Sequence, residues 1–408
     1  DVYKRQRNTM NRQAQGDAAV QTPSQHRSGR VSGRVYTDED IFNAEREAVF
    51  DNSWRLVCHE SELPEPFDYR TFEHVGRNAF VIRGPDGTLR SFLNACSHRG
   101  ARLLDAPAGN AERIRCFYHL WAYDSLGECT TIPRPEAYDS AKLDRAALGL
   151  TPLRTDTHLG LVFVNVDGHA PALSEYLSGA LNGFSGIMGT KPLEVFHYSR
   201  AVLDCNWKAW HETNMDMYHE LMHVVLRRTQ LNAMPMEDRR LVVYGNGHGG
   251  SGKLQASYDD YAGFSGRGSD VAPFPDTSPN DFRFTALFPC SVVLSRGTVM
   301  RLDTVTPLSP HRALLEMRGL GLAGESDADR RVRERHHNQY WGPFGRNVPE
   351  DMYAAEACGT SFRGGTAKGQ IIARDEGLTG QDDALMRAFY EEWGRRVGRY
   401  ADDLEPRR

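Results

Sequence analysis

Two short motifs constrain this chain more than any other feature: Cys96-Ser97-His98 and, after 17 intervening residues, Cys116-Phe117-Tyr118-His119. C-x-H followed by C-x-x-H offers two thiolates and two imidazoles from two short stretches. A [2Fe–2S] cluster needs four protein ligands, and this set lets two cysteines hold one iron and two histidines the other. Thiolates stabilise the ferric state. Neutral imidazoles leave less negative charge on the second iron and raise the potential. A fold that uses these residues must pinch two loop tips around one cluster. Zinc sites favour C-x2-C and H-x3-H spacings, and this pairing is unusual for them.

The rest of the composition bounds the classes. With 408 residues the chain is long enough for two or three domains. It has no run of 18 apolar residues, which excludes a membrane-spanning helix. A net charge of -5 argues against a nucleic-acid binder. Seven cysteines at scattered positions form no disulfide framework and point to a reducing, cytoplasmic setting. No G-x-G-x-x-G follows a strand, so a nicotinamide cofactor would have to act through another protein.

Three regions are expected. Residues 1–36 read as a disordered tail, with 1–6 (DVYKRQ) an assembly scar. Structure is predicted from Thr37, where Thr37-Asp38-Glu39-Asp40 has capping-box spacing before a helix to about Asn52. Residues 37–168 form a small β-rich domain: a hairpin at 79–82 and 89–93, and a strand at 160–166. Residues 169–402 are mixed, with helices at 206–228, 327–340 and 379–400 and strands at 241–244, 282–288, 291–294, 299–305 and 312–320. The fold class is α+β.

On the predicted helix at 206–228, Asp216, His219 and His223 fall at i, i+3 and i+7 and share one face. The histidines are about 6 Å apart along the axis and can converge on one metal; Asp216 is about 10.5 Å from His223 and cannot join them. A two-histidine, one-carboxylate iron site therefore needs an acid from elsewhere. Asp382 and Asp383 are the candidates. Asp382 has the spacing of a helix-start residue, whereas Asp383 is free to point inward; in the alternative, both merely face a helix N-terminus. His219-Glu220-Leu221-Met222-His223 also spells H-E-x-x-H, the zinc-protease signature with Glu220 as base, but no downstream Gly and His complete it. His211 is read as packed or at the surface rather than lining the pocket, His336-His337 as solvated, and the remaining cysteines as small core residues. Leu221, Met222, Met234, Phe284, Leu287 and Phe288 are candidates for an apolar pocket.

The stretches CSHRGARL, CFYHLWAYDSLG, NWK at 206–208, DMYH at 216–219 and the late acidic pair resemble the catalytic α subunit of Rieske-type aromatic-ring-hydroxylating oxygenases, over about 37–400. The resemblance implies a Rieske domain with Cys96, His98, Cys116 and His119 on the cluster. It also implies a helix-grip-like domain with mononuclear Fe(2+) on His219, His223 and, from the second residue of the acidic pair, Asp383. It further implies electrons from NAD(P)H through a reductase, with or without a ferredoxin. A homotrimer follows, in which Asp216 carries the electron between subunits; the segment 54–71 looks closer to α subunits that work with a small β subunit. The activity implied is mono- or dihydroxylation, or oxidative demethylation, of a small aromatic substrate. Two departures stand out: three residues rather than four separate the histidines, and Thr213 follows Glu212 where the family often has Asn. The other class of reading is a Rieske electron carrier with no second iron.

Overall fold

The computed structural model describes residues 29–225, 234–256 and 270–398. Its first half is built on a seven-stranded antiparallel sheet. The strand order is Arg55–His59, Leu161–Asn165, Pro152–His158, Leu89–Leu93, Arg77–Arg83, Asp68–His74 and Ala108–Asn110. The strand Arg77–Arg83 does not alternate between a buried and a solvated face. Ala79, Phe80, Val81 and Ile82 are all buried, so both of its faces are covered. A three-stranded sheet, Ile114–Arg115, Ala122–Tyr123 and Cys129–Thr131, packs beside it through Ile114, Trp121 and Tyr123.

The second half carries a larger antiparallel sheet. Its strands run Leu193–Leu203, Arg312–Leu322, Met300–Ser309, Ser291–Ser295, Asp281–Leu287, Gly249–Ser251 and Leu241–Val243, with Leu254–Gln255 paired to Asp281–Leu287. Helices Trp207–Thr213, Val348–Arg363 and Ala384–Val397 contribute to the core packed with this sheet. The NWK motif explains one anchor. Asn206 caps its helix by accepting from Lys208 N, and its amide donates to the carbonyls of Tyr36 and Pro310. Such a cap contributes about 1 kcal/mol. Trp207 and Trp393 both donate to Glu45, and Lys208 Nζ lies 2.6 Å from the same carboxylate, fully buried. Removing one partner of such a pair costs about 3–5 kcal/mol.

Arg318 joins the two halves, 2.7 Å from Glu62 and donating to the Val57 carbonyl. Several expectations need correction. Order begins before Thr37: Arg30–Ser32 pairs with Gly369–Ile371, and Val31, Val35 and Tyr36 are buried, so only residues 1–28 of the expected tail lie outside the described residues. Asp38, not Thr37, caps the first helix, which runs Glu39–Glu45 and continues as a wider turn to Asp51. The long helix expected at 206–228 ends at Thr213 and is followed by a 3-10 turn, Met217–Leu221; residues 226–228 lie outside the described residues. The strand Leu193–Leu203 and the helix Val348–Arg363 were not anticipated.

Candidate metal centres

The two ligand loops of the first half are built alike. In one, Cys96 N donates to Ala101 O and Gly100 N to Cys96 O; in the other, Cys116 N donates to Trp121 O and Leu120 N to Cys116 O. The residue four beyond each cysteine has positive φ, Gly100 at 70° and Leu120 at 60°. Leucine is rare in that region, so the second loop is held there by its surroundings. Both thiols are buried, and the two imidazoles face each other nearer the surface with ring centroids 4.5 Å apart. His98 stacks on Trp121, its Nε2 is hydrogen-bonded to Tyr138 at 3.3 Å, and its Nδ1 is buried with no partner. Tyr123 Oη lies 3.2 Å from Cys96 Sγ and accepts from Ser97 N. A buried, orphaned imidazole nitrogen on a loop that also carries a buried thiol suits a two-histidine, two-cysteine cluster.

The second centre lies where the 3-10 turn Met217–Leu221 meets the first turn of Val348–Arg363. His219 Nε2 and His223 Nε2 are 3.1 Å apart, and Asp351 Oδ1 lies 3.3 Å and 3.1 Å from them. Donors about 2.1 Å from one metal and at right angles would be about 3 Å apart. Each Nδ1 is engaged on the outer side: His219 donates to the Asp216 carbonyl, and His223 donates to Glu350 Oε2 at 2.6 Å. Those contacts fix both tautomers with Nε2 lone pairs turned inward. Asp351 Oδ1 has no hydrogen-bond partner. The three residues therefore fit one divalent iron. Burial would lower His219, but the Asp351 carboxylate lifts it to about 9. Burial would raise Asp351, and the two imidazoles instead hold it well below the usual carboxylate range. On holding a metal, His219 and Asp351 would give up the proton they share.

The acid beside the histidines is thus Asp351, which corrects the choice of Asp383. Asp383 stands at the start of Ala384–Val397 and accepts from Arg374 N, and burial pushes it up to about 6. Asp382 accepts from Glu376 N, Leu378 N and Ala384 N and pairs with Arg387. Asp382 thus reaches the helix start at Ala384 N, whereas the Asp383 side chain makes no capping bond there and holds Arg374 N instead. Asp216 is not on one continuous helix face; it caps the 3-10 turn by accepting from Tyr218 N.

A cavity opens beside the triad, lined in part by Met217, Phe282, Phe284, Leu294 and Trp341. Of the pocket candidates only Phe284 lines it, and Leu221 is exposed. Glu220 also lines it. One oxygen of Glu220 meets Arg239 at 2.6 Å and accepts from Gln381. His211 is buried against Phe389 and lowered to about 3 by burial. His336 and His337 are buried rather than solvated, and Cys358 is exposed. No helix among the described residues is long and apolar enough to cross a membrane.

Comparison with known proteins agrees with this geometry. Residues 53–147 match the family model of the Rieske [2Fe-2S] domain, and 191–399 that of the ring hydroxylating alpha subunit (catalytic domain). The 2-aminobenzenesulfonate 2,3-dioxygenase subunit alpha of an Alcaligenes species is 43% identical over 92% of this chain and 95% of its own length. The methanesulfonate monooxygenase hydroxylase subunit alpha of Methylosulfonomonas methylovora is 36% identical over 94% of this chain and 95% of its own. The naphthalene 1,2-dioxygenase structure from a Rhodococcus species shares the fold with a TM-score of 0.75 at 22% identity, covering 90% of this chain and 94% of that one. Two loops that present a cysteine and a histidine each, and a His-His-Asp centre beside a cavity, are thus what the family requires: the chain belongs to the Rieske-type ring-hydroxylating oxygenases, as a catalytic α subunit of the terminal oxygenase.

Proposed function

We propose that this α subunit oxygenates a small organosulfonate, with its mononuclear iron on His219, His223 and Asp351 and its cluster on Cys96, His98, Cys116 and His119. The observation that carries the iron assignment is the convergence of three inward-turned donor atoms within 3.1–3.3 Å of one another. The sulfonate assignment is supported by the names of the two relatives that align along almost the whole chain. When bound, the metals supply reductive O₂ activation beside the substrate, fed by electrons from a reductase and, where one is used, a ferredoxin.

The protein's own residues do the positioning. Glu350 and the Asp216 carbonyl orient the two imidazoles. Phe282, Phe284 and Trp341 give the cavity its apolar wall. The cluster loops expose Phe117, Tyr118 and Leu120 at 71%, 54% and 50%, and the iron turn exposes Tyr218 and Leu221. Apolar residues around both centres suit a head-to-tail ring, in which one subunit's cluster loops meet the next subunit's iron turn. Asp216, half-buried in that turn, carries the electron route across the junction. That both full-length relatives are designated alpha subunits supports a second, small subunit in the assembly.

The test is metal analysis joined to turnover. The oxygenase holds three irons and two sulfides per chain, and with a compatible reductase it consumes NAD(P)H and O₂ when 2-aminobenzenesulfonate or methanesulfonate is added. Two irons per chain would make it an electron carrier instead. Three irons with no response to either sulfonate would refute the substrate class.

A further inference from the structure

The acid of the H-E-x-x-H spacing takes no part in the His-His-Asp centre, yet it faces the same cavity. Glu220 is buried and lines the wall beside the triad. Two donors hold one of its oxygens: Arg239 Nη1 at 2.6 Å and Gln381 Nε2 at 3.1 Å both reach Oε1. Arg239 is itself buried and donates to the Met234 carbonyl, so the carboxylate is fixed in place and its charge is matched. The other oxygen, Oε2, is buried with no hydrogen-bond partner.

A second acceptor stands on the same cavity. Asn347 starts the helix Val348–Arg363 one turn before Asp351, where asparagine is favoured because its oxygen caps the helix. Here its side chain makes no capping bond; Asn347 is buried, lines the cavity, and its Oδ1 has no partner. Thr213, Asn214 and Arg301 line the cavity too, but each is engaged: Thr213 and Asn214 donate to the Trp210 carbonyl, and Arg301 donates to Asn214 and Asp303. Apart from Asp351 Oδ1, which meets the histidines, Glu220 Oε2 and Asn347 Oδ1 are thus unpaired acceptors on the cavity wall. Buried acceptors without a partner are costly. A hydrocarbon ligand would leave them unpaired, whereas an N–H on the ligand would satisfy them.

We infer that Glu220, with Asn347 as a second acceptor, selects a substrate with a hydrogen-bond donor on its ring: the amino group of an aminoarenesulfonate donates to Glu220 Oε2 while Phe282, Phe284 and Trp341 hold the ring. The sulfonate rests on the function proposed above; the donor rests on the cavity.

Isothermal titration calorimetry on the purified full-length protein tests it, with iron counted in the same preparation. Two ligand pairs differ only in a methyl group that replaces the amino group: 2-aminobenzenesulfonate against 2-methylbenzenesulfonate, and aniline against toluene. Apolar packing alone favours the methyl compound of each pair. The amino compound is expected to bind at least about tenfold tighter, because its absence leaves a buried acceptor unpaired. In Glu220→Gln the amide oxygen can keep Arg239 and Gln381 while the amide nitrogen takes the place of Oε2, so an acceptor becomes a donor at constant shape. That variant should lose the preference for the amino compound and bind the methyl compound as before; Asn347→Leu should lose part of it. Equal affinities within both pairs in the unsubstituted protein would overturn the inference, and that comparison needs no variant to fold. A preference kept in Glu220→Gln with an intact cluster spectrum would overturn it too, as would no binding of any of the four ligands. Aniline bound as tightly as 2-aminobenzenesulfonate, with the preference over toluene intact, would refute the sulfonate and leave the donor standing. The iron count reports on the oxygenase assignment separately.

Discussion

The cysteines and histidines proposed to hold the cluster all fall between positions 96 and 119, on two loops that close through their own main-chain hydrogen bonds. The residues proposed to hold the iron are split between 219–223 and 351, on elements that meet only when the second domain packs. The first centre is therefore a local construction and the second a tertiary one. Damage to one should leave the other standing, and the iron centre should be the more sensitive to substitutions that shift the helix Val348–Arg363.

The largest effect should come from the cluster loops. Cys116→Ala should abolish the red-brown colour and all turnover while keeping one mononuclear iron per chain. Visible spectra with iron analysis check this, and loss of both metals would break the claim of independence. Next is Asp216→Asn. Asn is also a good helix-start residue, so the cap on Tyr218 N survives, as does the carbonyl contact to His219. Both metal sites should stay loaded while turnover falls by about 100-fold or more, read by single-turnover against steady-state assays. Full steady-state activity would remove Asp216 from the route between subunits.

Glu350→Gln should act on the iron alone. Loss of the carboxylate behind a ligating histidine typically costs about 10- to 100-fold in metal affinity. Competition with a chelator measures it, and an unchanged affinity would reduce Glu350 to a surface acid. The smallest effect concerns stability. Burial pushes Glu212 up to about 7, against the hydrogen bonds it accepts from Tyr36, Tyr390 and Gln370. The folded state thus holds a proton that the unfolded state releases at its ordinary value of 4.5. Stability from this group is present below that value and is lost as pH rises through about 7. Glu212→Gln should remove that slope, gaining about a few degrees in Tm relative to the unsubstituted protein between pH 5 and 8. Parallel melting curves would contradict it.

The difference between the centres also explains what could be read before folding. Cys96, His98, Cys116 and His119 stand out as a candidate set because one short spacing carries four donor residues. His219 and His223 were legible as a pair for the same reason. Asp351 was not. Its helix has ordinary start signals, Pro349 and the acidic pair Glu350-Asp351 in the first turn, but Gly342, Pro343 and Gly345 just upstream read as loop. Acidic residues at a helix start also have a sufficient local reason in the helix dipole, and that reason holds for Asp382 and Asp383. Only the packing of distant elements decides which acidic pair meets the histidines.

The central claim is that Asp351 completes the iron site. It is tested most directly by metal analysis and electron paramagnetic resonance of Asp351→Ala and Asp383→Ala, prepared side by side with the Rieske spectrum as the internal standard. The account predicts that Asp351→Ala keeps the cluster, falls from three irons per chain to two and loses turnover, while Asp383→Ala keeps all three. Three irons in Asp351→Ala, or two in Asp383→Ala with a normal cluster, would contradict it.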